Sequence, residues 1–234
     1  MIRSFLFAAY LVLSALAVGV FCLPALLRRD WSLAVSKAWA GSVLRVLEAV
    51  CGLGYRVEGA ERLPTGPGLV AAKHQAMWET LALTILLDRP AFVLKKELAR
   101  VPVFGWFCRA NGFVFVDRAD GARALRSMTR GAQRAVSEGA QVVIFPEGTR
   151  APVGRALPYH PGVAALARAL DLPVVPVAHD SGRFWTHPGI RRRPGTVTVR
   201  VLPPIPADTP RKRLMADLEE AIEAETRALE AMPA

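Results

Sequence analysis

Between Arg3 and Arg28 the sequence runs for 24 residues without a charged side chain, and such a stretch leaves few options. As a helix it would be about 36 Å long, enough to cross a hydrocarbon core of about 30 Å. A membrane span, a signal peptide and a buried core helix all remain open. The run is longer than the apolar region of a usual signal peptide, and no small-x-small site followed by a polar start appears, which favours retention. If it spans, Arg28, Arg29 and Lys37 against a lone Arg3 place the rest of the chain in the cytoplasm.

Residues 31–53 predict a second helix, with Val35, Trp39, Val43, Val46 and Val50 on one face and Lys37, Arg45 and Glu48 opposite. Such a helix either lies in the headgroup plane of a membrane or packs onto the first. From Tyr55 onward, short apolar runs alternate with helical stretches, the pattern of an α/β domain built on a central, mostly parallel or mixed sheet flanked by helices. The expected organisation is therefore a membrane-associating helical pair, residues 1–53, followed by a single α/β domain, residues 54–234.

Within that domain the expected strands are 55–57, 68–72, 91–94, 112–116, 141–145, 173–177 and 196–201. The expected helices are 78–87, 122–137, 162–170 and 211–231, the last with Leu214, Leu218, Ala221, Ile222 and Leu229 on one stripe. Pro203, Pro204, Pro206 and Pro210 make a stiff connector into this helix.

Thirty basic against twenty acidic residues give a net charge of +10, which suits an anionic partner. A mean hydropathy of +0.27 is high for a soluble nucleic-acid binder. No zinc-finger, basic-zipper or RNP-type motif accompanies the charge, so a lipid surface is favoured and nucleic acid is not expected. Cys22, Cys51 and Cys108 have no CxxC spacing, so neither a disulfide framework nor a zinc site is suggested. Basic clusters at Arg123, Arg126, Arg130 and Arg134, and at Arg191 to Arg193, suit either anionic headgroups or solvent.

The chemistry gathers at three strand ends. After the strand 68–72 comes KHQAMWET, which places His74 in a turn and Glu79 at the start of the next helix. Residues five apart on one helix diverge by about 140°, so the pair meets only if His74 precedes the helix. A carboxylate on one imidazole nitrogen would fix the tautomer and leave the other nitrogen to take a proton from a hydroxyl. The second block is FPEGTR, where Gly148, Thr149 and the fork of Arg150 make a receptor suited to a phosphate monoester. The third is FVFVDR, where Arg118 would emerge at the same sheet edge if the strands are parallel. Taken singly, each block also reads as an ordinary turn or strand end.

In order, KHQAMWET, FVFVDR, FPEGTR and LPVVPVA resemble the four motifs of the bacterial 1-acyl-glycerol-3-phosphate acyltransferase family, the lysophosphatidate acyltransferases. The resemblance spans roughly residues 55–202 and takes in KKEL and VPVFGW. It implies direct acyl transfer without a covalent acyl-enzyme, with His74 as base and Glu79 orienting it. It further implies that Arg118, Glu147, Gly148, Thr149 and Arg150 hold the acceptor phosphate or shape its pocket, and that Pro176 lies near the acyl path. A carboxylate should not touch phosphate, so Glu147 is expected to orient Arg118, Arg150 or backbone amides. No cofactor or metal is implied; acyl-CoA or acyl-carrier protein would be the donor and a lysophospholipid the acceptor, at the cell membrane.

Two departures from the family pattern stand out. Glu79 replaces the commoner Asp, and Tyr159, His160, Pro161 and Gly162 stand where Tyr-Lys-x-Gly is usual, which removes a positive charge. The expected product is phosphatidate. Another lysolipid such as a lyso-ornithine lipid, glycerol-3-phosphate as acceptor, or a catalytically silent lipid-binding module are the competing readings. His160, His179 and His187 lack metal-ligand spacing and are expected to be structural or on the surface.

Overall fold

The computed structural model describes residues 1–117 and 121–233. Among these, seven strands form one mixed sheet: β1 (Leu53–Glu58), β2 (Gly68–Ala72), β3 (Pro90–Lys95), β4 (Val114–Val116), β5 (Gln141–Ile144), β6 (Val174–His179) and β7 (Gly195–Val201). Their order is β1-β7-β6-β2-β5-β3-β4. Every neighbouring pair is parallel except β6 with β7. Strands β2, β5 and β6 are buried along their whole length. Helices cover both of their faces, which is why they read as continuous apolar runs rather than alternating ones.

On one face lie α1 (Ile2–Phe21), α2 (Arg29–Cys51) and α3 (Trp78–Leu86). Their Val43, Leu47 and Leu81 pack with Val70, Val143 and Val177 of the sheet. On the other face lie α5 (Ala122–Ser137), α6 (Gly162–Leu170) and α7 (Arg211–Ala231). Here Met128, Leu166 and Leu218 pack with Leu69, Val142 and Val174. Adjacent residues of one strand thus serve opposite cores, as the pleat requires. The short α4 (Phe104–Ala110) lies beside α2.

The domain elements follow the sequence pattern closely, and the departures have local causes. The uncharged run does not form one helix: α1 stops at Phe21 and a 3₁₀ turn, Leu23–Leu27, follows. Pro24 lacks the amide that would continue the ladder and crowds the preceding turn. At 20 residues, about 30 Å, α1 remains long and apolar enough to cross a membrane. It is not a core helix, because Ile2, Phe5, Leu6, Val12, Leu13 and Leu16 face outward.

α2 begins and ends two residues earlier than expected, closing at Gly52 with φ +68, the left-handed cap that glycine adopts without strain. Its buried stripe is Ala40, Val43, Leu44, Leu47 and Cys51, and Val35, Trp39, Val46 and Val50 are only its half-buried margin. The stripe is rotated because α2 packs against both α1 and α3. α4 was not expected from sequence; Pro102 and Gly105 mask a helix of only seven residues. α1 is held against the segment before α4 at Gly19, where a Cβ would lie 2.4 Å from Val103 Cγ2.

Because Leu47 is fully buried in the core that α2 shares with the sheet, Leu47→Ala is expected to lower stability by about 2–5 kcal/mol. Denaturant unfolding in detergent should show this as one shifted transition. An unchanged sheet transition would mean that α2 unfolds separately.

Candidate active site

Three adjacent parallel strands, β5, β2 and β6, end at one edge of the sheet, the edge where open α/β sheets bind ligands. β2 delivers Lys73 and His74, β5 delivers the turn 145–150, and β6 ends in His179, Asp180 and Ser181.

His74 lies in the turn between β2 and α3, and Glu79 lies in the first turn of α3. Glu79 Oε1 stands 2.7 Å from His74 Nδ1. The carboxylate also accepts the amides of Gln75 at 2.8 Å and Ala76 at 2.9 Å, and the Ser181 hydroxyl at 2.9 Å. A helix-start carboxylate reaching back to preceding amides is the logic of a capping box, and here it also shapes the turn that carries the imidazole. Glu79 is buried. Burial opposes its ionisation, but the neighbouring His179 ring, the His74 hydrogen bond and charge, and the Ala76 amide outweigh it and hold the carboxyl at about 2. The imidazole stacks on Phe145, ring centroids 4.1 Å apart. With Nδ1 engaged, Nε2 is the nitrogen left for substrate.

His179 is buried, and burial lowers its pKa. Its Nε2 donates to the Lys73 carbonyl at 2.8 Å, while its Nδ1 accepts the Ser181 amide at 3.3 Å. Those partners fix a neutral tautomer. It is structural, as expected from sequence, but it stands directly behind the His74 turn.

Glu147 is buried and touches neither Arg150 nor any other arginine among the described residues. Its Oε1 pairs with Lys73 Nζ at 2.7 Å and its Oε2 accepts the His74 amide at 2.8 Å. The amide contact matches one of the expected roles; the lysine is the partner that the sequence did not reveal. Lys73 Nζ also lies 2.6 Å from Glu223 of α7, whose Oε1 accepts the Tyr159 hydroxyl at 3.0 Å. Burial raises the pKa of Glu147 although Lys73 opposes it. Burial and the carboxylates of Glu223 and Glu147 also raise that of the Tyr159 phenol, which therefore stays a donor.

A cavity of about 970 Å³ opens beside His74. Gly148, Thr149, Arg150, His187 and Lys95 are among the residues lining it. Leu11 and Leu16 of α1, Trp39 and Ala40 of α2, Phe92, Phe107 and Cys108 line the apolar remainder. Gly148 takes φ +67 at the turn, a conformation open to glycine without strain. Arg150 Nε donates to the Ala76 carbonyl at 3.3 Å, and its Nη1 lies 3.3 and 3.4 Å from the two ring nitrogens of His187. Partial burial and the Arg150 charge lower the pKa of His187.

His74, Gly148, Thr149 and Arg150 thus share one cavity, with Glu79 and Glu147 behind its wall. Arg118 lies outside the described residues, although β4, which leads to it, is parallel to β3. Pro176 is buried within β6 and is not among the residues lining the cavity; its carbonyl accepts the Leu202 amide. Its place in the sheet core, between β2 and β7, keeps it away. Sequence patterns did not mark Lys73, Ser181, His187 or Glu223 as site residues. A usable signal exists for two of them: Lys73 ends an apolar strand, and Glu223 interrupts the apolar stripe of the last helix.

The acyltransferase family pattern matches residues 54–180. Over 228 residues the chain is 36% identical to the 1-acyl-sn-glycerol-3-phosphate acyltransferase of Pseudomonas aeruginosa, an overlap covering 95% of this chain and 88% of that protein. It is 34% identical over 158 residues to the 1-acyl-sn-glycerol-3-phosphate acyltransferase alpha of Mus musculus, covering 66% of this chain and 55% of that one. In fold it matches the crystal structure of the 1-acyl-sn-glycerophosphate acyltransferase of Thermotoga maritima with a TM-score of 0.82 at 23% identity, over 100% of this chain and 98% of that one.

Two outcomes are expected from the buried charges. Glu79, held at about 2 against an ordinary 4.5, contributes stability that is complete above about 4.5 and is lost as pH falls towards 2. The stability gap between wild type and Glu79→Gln, from unfolding midpoints at stepped pH, should therefore narrow across that window. Lys73→Ala strands two buried carboxylates and is expected to cost about 3–5 kcal/mol, read as a lowered thermal midpoint.

Proposed function

This chain belongs to the acyltransferase family, and on that premise we propose that it moves a fatty acyl group from acyl-CoA or acyl-carrier protein to the sn-2 hydroxyl of 1-acyl-glycerol-3-phosphate, forming phosphatidate. The observation that carries this reading is the shared cavity of His74 and Arg150, apolar beyond them. Such a space suits a substrate with a charged head, a reacting hydroxyl and a long hydrocarbon tail.

His74 Nε2 takes the proton of the acceptor hydroxyl as its oxygen attacks the thioester carbonyl. The carbon–sulfur bond then breaks, and the departing thiolate takes the proton from the imidazolium. Glu79, ionised and hydrogen-bonded to Nδ1, orients the ring and stabilises its charged form. Thr149 and Arg150 receive the acceptor phosphate, with Gly148 giving the turn its shape and Arg118 completing the site. Glu147 acts behind the wall, holding the His74 amide.

The outward apolar face of α1 suggests membrane association. Residues 1–53 seat the enzyme on the bilayer with the catalytic domain, residues 54–234, on the cytoplasmic side. This orientation rests on the Arg28, Arg29 and Lys37 flank.

Purified enzyme in lysolipid micelles, assayed with an acyl thioester against lysophosphatidate, lyso-ornithine lipid and glycerol-3-phosphate, is expected to acylate lysophosphatidate. His74→Ala should lower kcat by about 10²–10⁴-fold. Arg150→Ala should raise the KM for lysophosphatidate by about tenfold or more. Transfer only to another acceptor would replace the substrate assignment, and undiminished transfer by His74→Ala would remove the base.

A further inference from the structure

The His74 turn is short, and both residues flanking the imidazole are tied to the last helix. Lys73 Nζ lies 2.6 Å from Glu223, and Gln75 Nε2 donates to Glu230 Oε1 at 2.6 Å. Glu223 and Glu230 are seven residues apart, two turns along one face of α7. Both side chains also hold the segment that follows the 145–150 turn: Glu223 accepts the Tyr159 hydroxyl, and Glu230 Oε2 accepts the Gly154 amide at 2.9 Å. Gln75 in turn accepts the Gly182 amide at 3.1 Å through Oε1. The end of α7 is fixed from the same side, because Arg183 donates to the carbonyls of Leu229 at 3.0 Å and Met232 at 2.8 Å.

Neither carboxylate is where helix stability alone would put it. Glu223 is buried on the apolar stripe, where desolvation opposes a charge. Glu230 lies in the last turn, where a negative charge opposes the helix dipole. Both positions make sense through what the two side chains hold.

We propose that α7, which lies beyond the family-matched residues 54–180, is a clamp that sets the position of His74 through Lys73 and Gln75, with Glu223 and Glu230 as its positioning residues. This rests on the reading of His74 as base. A displacement of about 1 Å in a reacting group costs on the order of 10²-fold in rate, so a looser turn lowers kcat more than it weakens acceptor binding at Thr149 and Arg150.

The test uses the full chain and steady-state kinetics with lysophosphatidate and an acyl thioester. Glu230→Ala is expected to lower kcat tenfold or more, a larger factor than any rise in the KM for either substrate. Glu230→Gln, whose amide oxygen can still accept from Gln75 while its NH2 cannot accept the Gly154 amide, should recover part of the loss. Glu223→Gln, which keeps an acceptor for Tyr159 and Lys73, should fall between the two. Kinetics are read well below each variant's thermal midpoint, so that a loss of fold is not mistaken for a loss of position. An undiminished kcat in Glu230→Ala, or a loss that Glu230→Gln does not even partly recover, overturns the clamp. His74→Ala in the same assay separates the two layers. If it is inactive while Glu230→Ala runs at full rate, only the clamp fails; if it is active, the base assignment fails and takes the clamp with it.

Discussion

A carboxylate sealed from water must regain inside the protein the hydrogen bonds it gave up, or it takes a proton and stops being an ion. Glu79 regains them from His74, from two backbone amides of its own turn and from Ser181 at the end of β6. Each donor comes from a place that only the folded sheet provides. The turn must leave β2 so that its amides converge, and β6 must lie next to β2 for Ser181 to reach. The strand order at the centre of the sheet and the ionisation of one side chain are thus a single condition seen at two scales.

Much of this was legible in the sequence, and what was not has a common cause. β2, β5 and β6 announce themselves as apolar runs closed by Gly, Pro or charged residues, and α5, α6 and α7 by helical period. The His74–Glu79 pair is a local relation, five residues apart, so spacing and turn geometry find it. Lys73 with Glu223 spans 150 positions, and Gln75 with Glu230 spans 155; nothing local couples such residues. The expected face of α2 does meet the core, at Val43 with Trp39, Val46 and Val50 beside it. Its centre lies further round, because a helix packed on two neighbours buries a wide surface whose middle its own period does not fix. Pro176 shows the opposite error, since membership of a motif placed it near the acyl path although its neighbours are sheet.

The site combines two environments that ordinarily exclude each other. Its apolar lining comes from α1, α2, α4 and β3, while Arg150 and Lys95 bring positive charge to the same cavity. His74 stands at the boundary, stacked on Phe145 and backed by a carboxylate. On the proposed role of His74 as base, a hydroxyl brought to such a border would shed part of its water while charge and hydrogen-bond donors stay within reach of a polar head. Leu16 of α1 both lines the cavity and is exposed, so the apolar lining is continuous with the outward face of that helix.

The pairing of β1 with β7, together with the hold of α7 on the residues flanking His74, carries a consequence for biogenesis. α1 is made before β7 and α7, whereas β1 and the His74 turn find their partners in those two later elements. Long-range closure of this kind is slow. The growing chain therefore presents the apolar α1 well before its sheet can close, and removal of α7 would take two anchors from the His74 turn at once.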